Sequence, residues 1–146
     1  MSALVVLAVV ALGLSAGAVL AEGAVLIPSW RSLRPEAFLA WYREHAALLT
    51  RFFGTLEVVA AGLIILAAVA GRGEPGCRLL AASAVLAVLV LAVFPLYFRR
   101  TNASFAEGTI AIARIAPELR RYAVWHWGRV ALAIAAFALS AVAARR

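Results

Sequence analysis

Lysine and aspartate are both absent, so the 14 cations are all arginine and the 7 acids are all glutamate. No Ser-His-Asp constellation, no P-loop and no G-x-G-x-x-G strand motif occurs. Cys77 is the only cysteine, which excludes an internal disulfide and paired-cysteine redox chemistry. It opens an apolar run and reads as a small membrane-facing residue. Charge itself is scarce: 14% of residues are charged, against about 25% in an ordinary soluble domain. With 66% apolar residues in 146, the chain has more apolar surface than one aqueous core can hide. The net charge of +7 raises the question of nucleic acid. The arginines, however, fall in connections and at helix ends, where they face headgroups and set topology. No nucleic-acid partner is expected; the lipid bilayer is.

What is present is long apolar runs. A bilayer core of about 30 Å needs about 20 apolar residues. Residues 3–27, 52–70, about 77–98 and about 123–144 meet or approach that length. The predicted fold class is all-α: residues 1–146 form a single domain, a polytopic four-transmembrane-helix bundle. The first run lacks the basic start of a signal peptide and continues past Glu22 to Ile27, so it reads as a retained helix. Residues 71–76 form a short turn, making the second and third helices antiparallel neighbours. Residues 28–51 and 99–122 are longer and mixed. Phe38, Trp41, Tyr42 and His45 in one, and Phe105, Ile110, Ile112 and Ile115 in the other, predict two short interfacial amphipathic helices. The long segments hold nine arginines, counting Arg51 just before the second run, against four at the opposite end. The positive-inside rule therefore places 28–51 and 99–122 in the cytoplasm and both termini outside, in a bacterial inner membrane.

Because successive helices run in opposite directions, the polar residues gather at one end. Glu22 lies five residues before the end of its run, Glu57 five residues into its own, and Arg129 six residues into the fourth. Each falls roughly 8 Å below its helix end. Tyr97 and Asn102 bracket the matching end of the third helix. Buried charges in a chain this small need partners. Glu57 and Arg129 form the natural ion pair, and Glu22 is within reach of Arg51 or Arg129. Tyr122, His126 and Arg129 share one helical stripe, and Thr50, Phe53, Gly54 and Glu57 share another. Pro95 should kink the third helix. Gly13 and Gly17 form a G-x-x-x-G pair, a sign of close helix packing.

Several of these residues carry two readings. Trp125 and Trp127 are either an aromatic belt or walls for a flat ligand. Trp30 and Trp41 read as belt. His126, Glu57 and Arg129 are either catalytic and ligand-binding or a structural polar cluster. His126, His45, Glu57 and Glu22 offer a mixed N/O donor set, but no two have local metal-ligand spacing. A metal at His126, Glu57 and His45, or a haem on His126, stays open beside a site with no cofactor. The Ala-rich helices are compatible with a homo-oligomer of no fixed number.

Four stretches carry a family resemblance: P-S-W-R-S-L-R-P-E-A-F at 28–38, R-F-F-G-T-L-E-V at 51–58, F-P-L-Y-F with T-N-A-S-F between 94 and 105, and W-H-W-G-R at 125–129. In order and spacing they resemble the small membrane proteins with the DUF1772 domain, over nearly the whole chain. That family includes anthrone oxygenases of aromatic polyketide pathways. The resemblance implies oxidation of an anthrone methylene to a quinone by O₂. Its motif positions are Arg51, Glu57, Asn102, His126, Trp127 and Arg129. In such chemistry His126 or Glu57 removes the ring-carbon proton. Arg129 or Asn102 then holds the phenolate-like anion, and O₂ meets the carbanion without a cofactor. Trp125, Trp127, Tyr97, Tyr122, Arg51 and Glu22 are expected around a lipophilic substrate. The alternatives are a non-enzymatic binding or accessory protein, and a transporter.

Overall fold

The computed structural model describes residues 2–145, and these form four helices joined by three tight connections. They are α1 (Ala3–Ser32), α2 (Pro35–Ala70), α3 (Cys77–Glu107) and α4 (Ile112–Ala143), each long and apolar enough to cross a membrane. Consecutive helices are antiparallel neighbours, and α4 closes the ring against α1. The protein is a four-helix transmembrane bundle.

The helices are longer than the bilayer requires. The 36 residues of α2 extend about 54 Å at 1.5 Å per residue, against a hydrocarbon layer of about 30 Å. The excess is all at one end, which corrects the expected layout of residues 28–51 and 99–122. Both segments are helical, as their spacing predicts. They are not separate helices lying along the interface; they continue the spans beyond it. The real turns are short. Arg34, in extended conformation before Pro35, separates α1 from α2, because a residue preceding proline is driven out of the helical region. Gly108 ends α3 at φ +67°, a left-handed cap that other residues adopt at a cost.

Two packing regimes divide the bundle. The distal half is a core of small side chains, including Ala8, Ala11, Ala60, Ala61, Ala67, Ala84, Ala87 and Ala136. Such side chains let helices approach closely. Of its buried hydroxyls, Ser83 ties α3 to α4 by donating to the Ala136 carbonyl at 2.7 Å, and Ser140 donates within α4 to the Phe137 carbonyl at 2.7 Å. The arginine-rich half is built from Trp30, Phe38, Tyr42, Tyr97, Phe98, Phe105 and Tyr122, whose rings hold the helices apart. Of the G-x-x-x-G pair, Gly13 packs against the Phe137 ring, while Gly17 faces outward with open space around it.

At the junction of the two halves, α1 and α3 each widen into one π turn. These are Glu22–Leu26, where the Ile27 N–H reaches the Glu22 carbonyl, and Phe94–Phe98, where the Arg99 N–H reaches the Phe94 carbonyl. The expected Pro95 kink takes this form. π turns of this kind are frequent at functional sites.

Candidate functional site

The polar residues of all four helices meet at that junction. Arg129 is the hub. Its Nη2 donates to Glu22 Oε2 at 2.7 Å, and its Nη1 lies 3.5 Å from Glu57 Oε1. The guanidinium carbon sits 4.8 Å from the centre of the Phe98 ring. Glu22 also accepts from the Tyr122 hydroxyl at 3.5 Å. All three charged side chains are about 5% exposed. One guanidinium therefore faces two carboxylates away from water.

His126 buttresses the hub. Its Nε2 donates to the Val19 carbonyl at 2.7 Å, and its Nδ1 accepts from Arg129 Nη2 at 3.2 Å. A carbonyl only accepts, so this geometry selects the Nε2–H tautomer and turns the Nδ1 lone pair toward the cation. Gly23 makes the contact possible: a Cβ there would lie 3.0 Å from His126 Cδ2 and 3.2 Å from Nε2. The π turn thus presents one carbonyl and one bare backbone position to the imidazole.

Beside this cluster, between α2 and α3, lies a cavity of about 390 Å³, within the size range of small-molecule sites. Glu22, Tyr42, Glu57, Tyr122 and Arg129 form its inner wall. Leu49, Phe53, Gly54, Val58, Leu91 and Phe94 form most of the rest, with Thr50 and Asn102. Three buried polar atoms of lining residues have no hydrogen-bond partner within the protein: Glu57 Oε1, Asn102 Oδ1 and Arg129 Nε. Buried polar atoms are normally satisfied. All three atoms are buried within the wall rather than exposed on its surface, and Glu57 Oε1 still faces Arg129 Nη1 at 3.5 Å.

The structure sorts the expected site residues into two groups. Glu22, Glu57, Asn102, Tyr122 and Arg129 line the cavity, and Thr50, Phe53 and Gly54 share its wall with Glu57, as their stripe requires. His126 is fully buried behind the wall and does not line it. With both ring nitrogens engaged, it has no lone pair to offer a metal or a haem. His45 is elsewhere, stacked on Trp41 at 4.2 Å with Nδ1 on the Trp41 carbonyl. Among the described residues no group of three or more His, Cys, Asp or Glu side chains forms a metal-binding cluster. A joint site of His126, Glu57 and His45 does not fit this arrangement.

Four further residues are outside the cavity. Arg51 points outward, and Glu22 pairs with Arg129 instead. Trp125 stacks on Tyr97 at 5.1 Å and is 37% exposed, and Trp127 is 46% exposed. Tyr97 is buried, but its hydroxyl donates to Glu118 Oε1 at 2.6 Å, away from the cavity. Adjacent residues on a helix point about 100° apart, so His126 turning inward sends both flanking tryptophans out. Tyr42, Leu49, Val58, Leu91 and Phe94 are the lining residues that the sequence did not single out for the site. Tyr42, Leu49, Phe53 and Glu57 continue one helical stripe, visible only once 35–51 is read as part of the same helix as 52–70.

No family model, curated protein or solved structure matches this chain.

Proposed function

We propose that the protein is a membrane-embedded oxygenase acting on a flat, lipophilic phenol, in the manner of the anthrone oxygenases that its sequence motifs resemble. The observation that carries the reading is the cavity itself, with Glu22, Tyr42, Glu57, Tyr122 and Arg129 on one wall and apolar side chains over most of the rest. A purely structural ion cluster accounts for Glu22, Glu57, Arg129 and His126. It leaves the cavity beside them, and Asn102 on its wall, unexplained.

The assigned chemistry starts with Glu57, whose carboxylate on the cavity wall takes a proton from the activated ring methylene. The Arg129 guanidinium faces the oxygen on which negative charge then develops, and Asn102 orients a substrate hydroxyl. The carbanion transfers its electrons to O₂, a C–O bond forms, and the resulting hydroperoxide loses water. Overall, R₂CH₂ + O₂ gives R₂C=O + H₂O, with O₂ as the only oxidant. His126 is removed from the role of base and given that of a strut holding Arg129. The membrane is the bacterial inner membrane, with the arginine-rich end in the cytoplasm.

Oxygen uptake and quinone formation by the purified protein in vesicles, with 1,8-dihydroxyanthrone as substrate, test this. The wild type should consume one O₂ per anthrone, and Glu57→Gln should abolish turnover while remaining folded. The second reading, a binding or accessory protein, is favoured by the closed Glu22–Arg129–His126 network. Ligand binding without oxygen uptake would establish it in place of the first.

A further inference from the structure

The cavity has its polarity the opposite way round from a water-facing pocket. Its buried inner wall carries two glutamates, two tyrosines and an arginine, whereas its rim is Leu49, Phe53, Gly54, Val58, Leu91 and Phe94, all at least partly exposed. An apolar rim in water costs about 25 cal/mol for each Å² left exposed. In hydrocarbon it costs nothing, and there the polar groups must turn inward.

Depth agrees with polarity. Exposed Arg51 on α2 and Arg99 on α3 flank the cavity at about one level, as the Arg43 side chain's bond to the Ala106 carbonyl farther along the same two helices requires, and mark the headgroup boundary there. Gly54 and Val58 lie three and seven residues inside Arg51; Phe94 and Leu91 lie five and eight inside Arg99. At 1.5 Å per residue that is about 5–12 Å into the acyl layer. The two polar rim residues sit at the other end: Thr50 adjoins Arg51, and Asn102 lies three residues beyond Arg99. Gly54 sits in the gap. A Cβ built on it meets nothing within 4 Å, so neither helix packing nor backbone conformation calls for glycine, and its bare backbone leaves a notch between α2 and α3.

We propose that the ligand reaches the cavity sideways, from the acyl layer of the bilayer, through the notch at Gly54 between α2 and α3. This rests on reading the cavity as a ligand site. The occupant is a membrane-dissolved aromatic that leads with its hydroxyl toward Glu57 and Arg129, and its product leaves by the same opening into the same leaflet. A charged, water-soluble compound has no such route.

Two measurements test the route. The first uses 1,8-dihydroxyanthraquinone in phosphatidylcholine vesicles as a stable coloured probe, with its binding followed by stopped flow. Gly54→Leu should slow binding about tenfold by closing the notch. Gly62→Leu, on the same helix, more exposed and likewise with nothing within 4 Å, should stay within about twofold of wild type. Wild-type binding kinetics in Gly54→Leu overturn the route. Absence of binding by the wild type overturns the ligand-site reading instead. The second measurement then decides the route's geometry without any ligand. In a Cys77→Ala background, Gly54→Cys is labelled with bimane. Quenching by acyl-brominated phosphatidylcholine, with no quenching by aqueous iodide, supports a mouth in the hydrocarbon; quenching by iodide overturns it.

Discussion

Replacing Arg129 with glutamine should damage the protein far more than replacing either glutamate it faces. The reason is a charge count. Arg129 is the one cation among the four groups of the cluster, and it stands between Glu22 at 2.7 Å and Glu57 at 3.5 Å. Removing Glu57 leaves the guanidinium neutralised by Glu22. Removing Glu22 leaves it beside Glu57. Removing Arg129 leaves two buried carboxylates with no cation, and leaves His126 Nδ1 without its donor. Loss of one partner from a buried pair costs about 3–5 kcal/mol. Replacing one surplus acid by its amide also removes a desolvation cost, so Glu57→Gln should change stability by less than about 1 kcal/mol. The assay is denaturant unfolding in detergent micelles followed by circular dichroism. The double variant Arg129→Gln with Glu22→Gln should recover part of the loss, because it also removes one orphaned charge. Arg129→Gln no less stable than Glu57→Gln, or no recovery in the double variant, would refute the charge argument.

Three further expectations follow from particular contacts. Gly23→Ala should cost about 1–3 kcal/mol and weaken probe binding, since its methyl would push His126 off the Val19 carbonyl; unfolding and titration of the purified variant check this. Phe94→Ala should weaken anthraquinone binding, whereas Trp125→Phe should leave the dissociation constant within about twofold, because Phe94 lines the cavity and Trp125 stacks on Tyr97 outside it. Cys77, a partly exposed thiol at the end opposite the arginine-rich half, should react with a membrane-impermeant maleimide in intact spheroplasts; protection until lysis would reverse the proposed orientation.

The four spans were legible in the sequence because a bilayer leaves the backbone few choices. Every N–H and C=O must bond within its own helix, so apolar length alone marks each crossing. The common level of Glu22, Glu57 and Arg129 was legible for the same reason: helix rise converts residue number into depth. The lengths of α2 and α4 beyond the membrane were not, because Arg43, Glu44, Arg120 and Arg121 look the same on an interfacial helix as on an extended span. Partner choice was also hidden. Arg129 takes Glu22 as its close partner, and His126 faces the Val19 carbonyl, because the π turn at Glu22–Leu26 rotates α1 and Gly23 lets the ring approach. Rotation about a helix axis is set by packing between segments some hundred residues apart. Local pattern can therefore place a side chain at a depth, but only the assembled bundle decides which neighbour it meets and which face opens to lipid.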